Sequence, residues 1–235
     1  MSDAAEAWPI PGPIRGVIFD VHSTLIDQGD ADEWLDTALA VSPHDLDYEQ
    51  RAELVAFLDR IWEGARINDP TSSRDLSFED HHRVFHELID AGPGVDRPLA
   101  DALYESMLST WHAYDDTIPV LEMLREMGIS VCLLSNAGVP LRTVLDREGI
   151  TPWVEHVVIS YEVGAVKPDL RVFEAALEAL SLTAEQVLMV GDNANDDGGG
   201  TRLGMRTLLL PRTAGHTHGL IAVPALVAGV NREFD

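Results

Sequence analysis

From about residue 115 onward the chain alternates between helical periodicity and apolar runs too short to be helices. Residues 119–128 carry a helical pattern with a glycine stop. Ile129-Ser-Val-Cys-Leu-Leu134 follows as a strand and ends on Ser135-Asn136. Pro140 opens a helix that Gly149 ends, and 154–160 is a strand. Residues 169–180 form a helix with Phe173, Ala176, Leu177 and Leu180 on one face. Gln186-Val-Leu-Met-Val190 is a strand ending on Gly191-Asp192, and a short helix around 201–204 and a strand over 206–210 complete the series. One further apolar run, Val17-Ile-Phe19, lies far upstream, follows Gly16 and stops on Asp20; it is a strand over about 15–20. Strands joined through helices pair in parallel, with helices on both faces. The pattern therefore predicts an α/β fold with a doubly wound, Rossmann-like parallel sheet.

Parallel strands all point the same way. Asp20, Ser135 and Asp192 at strand ends, and Lys167 in the loop Gly164-Ala-Val-Lys167-Pro-Asp169 after a fourth strand, must therefore converge at one edge of the sheet. Their chemistry is coherent. A carboxylate can attack phosphorus, while a hydroxyl and an ammonium can hold phosphoryl oxygens as charge develops. The run Gly191-Asp192-Asn-Ala-Asn-Asp196-Asp197 can hold a hard divalent cation through oxygen. Lys167 is the only lysine among 16 Lys and Arg, so an ammonium stands there in a chain that otherwise uses arginine.

Residues 28–114 have a different texture: acidic, helical in pattern and without a strand. Residues 33–40 are one amphipathic piece, and 48–62 place Leu54, Phe57, Leu58 and Ile61 on one side. Ser77-Phe-Glu-Asp80 resembles a helix start, Val84, Phe85, Leu88 and Ile89 continue it, and 98–114 is another helix. The expected organisation is a core of 14–27 and 115–235 with a cap of about four helices, 28–114, inserted after the first strand. Trp34, Trp62 and Trp111 read as cap core, one of them free to line a pocket. His82 and His86 share a helix face but lack an evident third metal ligand. His216-Thr-His218 falls in a tail after Pro211 that the pattern does not place.

Forty acids against 16 bases give a formal charge of −24, which repels nucleic acid and anionic membranes. A small molecule is the expected partner, drawn in by a local cation or metal if it is anionic. The acidic N-terminal residues, with 1–13 expected to fray, lack the apolar core of a signal peptide. No apolar run approaches a membrane span, and the lone Cys132 excludes an intrachain disulfide. These features lead to the expectation of a cytoplasmic protein, monomeric or homodimeric.

Four of these features, in order, resemble the motifs of the haloacid dehalogenase (HAD) superfamily, in its subgroup with a helical cap after the first strand. Asp20-Val-His22-Ser-Thr24 stands for the first motif, Ser135 for the second, Lys167-Pro168 for the third and Gly191-Asp192-Asn-Ala-Asn-Asp196 for the fourth. The downstream Gly204-Met205 favours Asp196 over Asp197 as the last acid. The resemblance implies a hydrolase in which Asp20 becomes phosphorylated. It implies Mg²⁺ on Asp20, the His22 backbone carbonyl and Asp192, with Asp196 close by. Ser135, Asn136 and Lys167 would hold the phosphoryl group, Thr24 would steady the loop, and the cap would choose a small phosphorylated metabolite. His22 departs from the pattern, because the family's phosphatases carry there an acid that protonates the leaving group. Histidine can do that work. A metal-free 2-haloacid dehalogenase, or a binding protein on the same fold, is the alternative that this residue leaves open. Against the dehalogenase stand Asp192, where that branch carries a neutral residue, and Phe173, where it carries a tyrosine.

Overall fold

The computed structural model describes residues 12–213 and 215–234; of the N-terminal segment expected to fray, 1–11 lie outside the described residues. Five strands, β1 (Gly16–Phe19), β4 (Ser130–Ser135), β5 (His156–Ile159), β6 (Val187–Gly191) and β7 (Arg206–Leu209), form one parallel sheet in the order β5-β4-β1-β6-β7. The central strand β1 is buried on both faces, as a parallel sheet requires. Side chains alternate between two cores. Val17 and Phe19 join Val131, Leu133, Leu188 and Val190 on one face, whereas Ile18 joins Cys132, Leu134 and Met189 on the other. The second face is covered by α9 (Leu170–Leu180) through Val172, Phe173 and Ala176. The first is covered by α6 (Thr117–Glu126) and α7 (Leu141–Arg147). Full burial of each such side chain stabilises the fold by about 1.5–3 kcal/mol.

The two-residue strands β2 (Ile26–Asp27) and β3 (His112–Ala113) pair antiparallel where the chain leaves the sheet layer and returns to it. The second of them lies in a region whose sequence shows no strand pattern. Gly29 beside this ribbon has φ +80°, and a Cβ there would lie 2.3 Å from the Thr110 carbonyl oxygen, so only glycine fits. Between the two strands run five helices: α1 (Ala31–Val41), α2 (Tyr48–Leu58), α3 (Ile61–Asn68), α4 (Phe78–Ile89) and α5 (Arg97–Ser106). Asp30, Asp47, Ser77 and Asp96 cap four of them by accepting bonds from first-turn amides. The single helix expected over 48–62 is broken: Arg60, at φ −105° and ψ 10°, leaves the helical region, so α3 starts as a separate helix. Trp34 and Trp111 are buried as expected of packing residues, and Trp34 Nε1 donates to the Leu103 carbonyl at 2.9 Å.

The tail is ordered into a latch and a helix. Arg212 Nε donates to Asp27 Oδ1 at 2.7 Å, and Asp116 accepts from the amides of His218, Gly219 and Leu220 at 2.8–3.0 Å. Helix α10 (Ala222–Asn231) then buries Val223 and Val227 in the first core. No helix of the described residues is long and apolar enough to cross a membrane.

The segment 72–77, which joins α3 to α4 through a 3-10 turn (Ser73–Leu76), lies directly on the loop after β4. Ser160, the first residue of α8 (Ser160–Val163), donates its hydroxyl to the Asp75 carbonyl and accepts from the Ala137 amide at 3.0 Å. A Cβ on Gly138 would sit 2.3 Å from the Arg74 carbonyl oxygen and 2.8 Å from that of Ser77. Gly138→Ala is therefore expected to lower the melting temperature by about 2–12 °C, corresponding to about 1–3 kcal/mol of overpacking in a chain of this size. Calorimetric unfolding measures this, and an unchanged midpoint means that the 72–77 segment moves aside without cost.

Candidate active site

Asp20 follows β1 directly, its amide extending the ladder to the Val190 carbonyl at 2.8 Å. The turn that follows is tight, with Ser23 in the left-handed region at φ +68°, a conformation stored at functional sites more often than elsewhere. That turn brings Thr24 Oγ1 to donate to Asp20 Oδ2 at 3.1 Å. Thr24 is fully buried and holds the Asp20 carboxylate.

Lys167 Nζ donates to Asp20 Oδ1 at 2.6 Å and to Asp197 Oδ1 at 2.7 Å, and all three side chains are buried. Burial alone would lower the lysine pKa. The attraction of Asp197 and Asp20 outweighs it and holds the ammonium above its usual range. Asn136 spends its side chain on Lys167, its Oδ1 accepting from the Lys167 amide at 2.7 Å and its Nδ2 donating to the Lys167 carbonyl at 3.3 Å. Its place is thus that of a clamp on Lys167, a correction to the expected phosphoryl contact. Ser135, 2% exposed, ends β4 and lines the same pocket.

In the loop after β6 the geometry differs from the sequence expectation. Asp197, not Asp196, joins the buried group. Its Oδ2 accepts from the Asn193 amide at 3.0 Å, and it opens a 3-10 turn, Asp197–Leu203. Asp196 stands at the pocket wall, accepting from Asn193 Nδ2 at 2.9 Å. Gly191 makes room for this arrangement, since a Cβ there would lie 2.0 Å from the Asp197 carboxylate. Oxygens of Asp20, Asp192 and Asp197 lie within 4.8 Å of one another, the one cluster of three potential metal ligands among the described residues. Burial raises the pKa of Asp192, and the charges of Asp20 and Asp197 raise it further. Three carboxylates share one ammonium, so the ionised cluster is anionic, and all the donors are oxygens. That set fits a hard divalent cation such as Mg²⁺.

His22 occupies a setting that its position in the motif does not announce. Its ring lies 4.7 Å from that of Trp62 and 4.6 Å from that of Trp111. Nδ1 meets Ser23 Oγ at 3.3 Å, and the buried Nε2 has no hydrogen-bond partner. Burial, with Arg66 and Arg212 adding to it, pushes its pKa down to about 3, so the imidazole is neutral at pH 7. A neutral imidazole is a far weaker proton donor than an imidazolium, which speaks against the general-acid role expected for this residue.

Sequence reasoning missed the pocket's other wall. Arg66 from α3 and Arg74 and Asp75 from the 72–77 segment face the same cavity as Asp20, Ser135 and Lys167. None of them carries a periodic or motif signal. Neither remaining histidine pair belongs to a cluster of three potential metal ligands among the described residues. The His82 and His86 rings are 4.2 Å apart with His86 Nε2 3.6 Å from Asp101, whereas the buried His218 stacks on Tyr114 at 4.8 Å.

Residues 14–204 match the family model of haloacid dehalogenase-like hydrolases. The chain is 26% identical over 200 residues to ribulose-1,5-bisphosphate 5-phosphatase of Halopiger xanaduensis, covering 82% of this chain and 83% of that protein. It is also 26% identical over 207 residues to (S)-2-haloacid dehalogenase 1 of a Pseudomonas species, covering 85% and 86%. The magnesium-bound hydrolase YfnB of Bacillus subtilis has a similar structure, with a TM-score of 0.69 at 19% identity over 92% of this chain and 99% of that one.

The buried triad has a direct consequence for stability. Lys167→Met leaves Asp20 and Asp197 facing each other without a cation. It is expected to lower the unfolding free energy by about 3–5 kcal/mol, the usual effect of removing one partner from a buried pair. Urea denaturation in EDTA measures it, and a loss under about 1 kcal/mol would mean that the two carboxylates are stabilised by other groups.

Proposed function

For a chain that belongs to the haloacid dehalogenase-like hydrolases, we propose Mg²⁺-dependent hydrolysis of a small phosphorylated metabolite through phosphorylation of Asp20. The observation that carries this reading is the anionic, oxygen-only cluster of Asp20, Asp192 and Asp197. Those three side chains, with the backbone carbonyl of His22, would hold the ion, and Asp196 stands beside them. Bound Mg²⁺ would supply charge neutralisation and polarise a phosphoryl oxygen.

The chain's own groups do the rest. Asp20 is steered by Thr24 on one carboxylate oxygen and by Lys167 on the other. It attacks phosphorus, the ester P–O bond breaks, and water then releases phosphate and regenerates the carboxylate. An ammonium has three N–H donors, and two are taken by Asp20 and Asp197; the third is left for a phosphoryl oxygen, beside the Ser135 hydroxyl. Arg66 faces the pocket with no ion pair among the described residues, a local cation that offsets the acidic surface for an incoming anion. The helices of 28–114 act as a cap on a core of 14–27 and 115–235, and closure of the cap excludes water.

A 2-haloacid dehalogenase is the second reading, favoured by the absence of an acid at position 22 and by the Pseudomonas relative. The acidic Asp192 speaks against it. Phe173 does too, since it is fully buried beneath Gly199 and Gly200 and takes no part in the pocket. A panel of phosphomonoesters and 2-chloropropionate, each with Mg²⁺ and with EDTA, separates the two. We expect phosphate release that needs Mg²⁺ and falls by at least about 10³-fold in Asp20→Asn, equivalent to about 4 kcal/mol of barrier. Chloride release in EDTA, with no phosphate release from any ester, would establish the dehalogenase instead.

A further inference from the structure

Hydrolysis of an unactivated phosphate ester needs a proton on the departing oxygen, and the residue two positions after the nucleophile is His22, enclosed between two indoles. Asp75, on the 72–77 segment of the insertion, lines the same pocket as Asp20, Ser135 and Lys167. Its backbone is held there by the Ser160 hydroxyl, which also binds the Ala137 amide, two residues past Ser135. Direct packing of the 72–77 segment on Gly138 also holds that backbone in place. The Asp75 side chain is 8% exposed and accepts no hydrogen bond; its nearest cation is Arg74 Nη2 at 3.5 Å.

Resting on the phosphatase reading above, we propose that Asp75 protonates the leaving-group oxygen, so that the catalytic acid of this chain comes from the helical insertion. In the first step the Asp20–phosphorus bond forms, the ester P–O bond breaks, and the Asp75 proton moves to the departing alkoxide. In the second, Asp75, now a carboxylate, takes a proton from the attacking water. The water oxygen bonds to phosphorus, Asp20 departs, and both acids return to their starting states. The surroundings make this carboxyl easier to protonate than an exposed one. Burial raises the Asp75 pKa to about 6; Asp69 and Asp196 also raise it, while Arg74 and Lys167 oppose them. His81, the histidine of α4 that lines the pocket, is pushed by burial down to about 3 and so adds no charge.

Wild type, Asp75→Asn and Asp75→Glu are compared with Mg²⁺ on glycerol phosphate, a poor leaving group, and on p-nitrophenyl phosphate, which needs little protonation. Asp75→Asn is expected to lose about 10²-fold or more on glycerol phosphate, the usual size of general acid catalysis, and only a few-fold on the aryl ester. Asp75→Glu should recover part of the loss. The wild-type kcat/KM on glycerol phosphate should fall as pH rises past about 6, where the acid loses its proton, and this limb should vanish in Asp75→Asn. Equal losses on both esters, or no loss, overturn Asp75 as the acid and leave the phosphatase intact. A wild type that hydrolyses neither ester overturns the phosphatase reading and this one with it.

Discussion

The site depends on one buried ammonium held between two buried carboxylates. Taking three charges out of water costs several kcal/mol per ion, and only close, well-directed contacts offset it. The rest of the molecule meets that condition. β1 and β6 run side by side and in parallel, so the residues after them, Asp20 and the Asp192–Asp197 loop, end at the same height. The loop after α8 delivers Lys167 from the far side of β4, and the Asn136 side chain fastens its backbone on both the amide and the carbonyl. Gly191 leaves the space that the Asp197 carboxylate fills. Side chains from three separate parts of the sheet thus meet within hydrogen-bonding distance.

Much of this was legible in the sequence, because strand ends are marked locally. A short β-branched run stopping on Asp20, Ser135 or Asp192 announces both the strand and its polar terminus. What was not legible depends on phase or on distance. Counting back from Gly204-Met205 favoured Asp196, but residues 197–203 wind as a 3-10 helix, with three residues per turn, and this phase turns Asp197 inward. The break at Arg60 has no glycine or proline to mark it. Helix α10 is apolar on most of its surface, with Pro224 in its first turn, so it offered neither an amphipathic stripe nor a polar cap. Arg66, Arg74 and Asp75 reach the pocket only because the insertion folds back over the sheet edge, an event that leaves no trace in local spacing.

The insertion is fastened at both ends by close backbone contacts. Near the ribbon of β2 and β3, Gly29 lies against the Thr110 carbonyl, and Arg212 and Tyr114 hold Asp27, Tyr114 at 3.2 Å. Over the sheet edge, Gly138 lies against Arg74 and Ser77, and the Asp75 carbonyl on Ser160. Close backbone packing of this kind does not weaken in salt as an exposed ion pair does, which suits a wall that carries a side chain toward a reacting group.

The cluster of Trp62, His22 and Trp111 joins three parts of the molecule: an inserted helix, the turn after the nucleophile, and the residue just before the strand by which the chain returns. Indole emission responds to polarity and to close contact with an imidazole. A parting of the insertion from the sheet edge would take Trp62 off His22 and wet both rings. Indole emission would then report the movement, two residues from the nucleophile and with no attached dye.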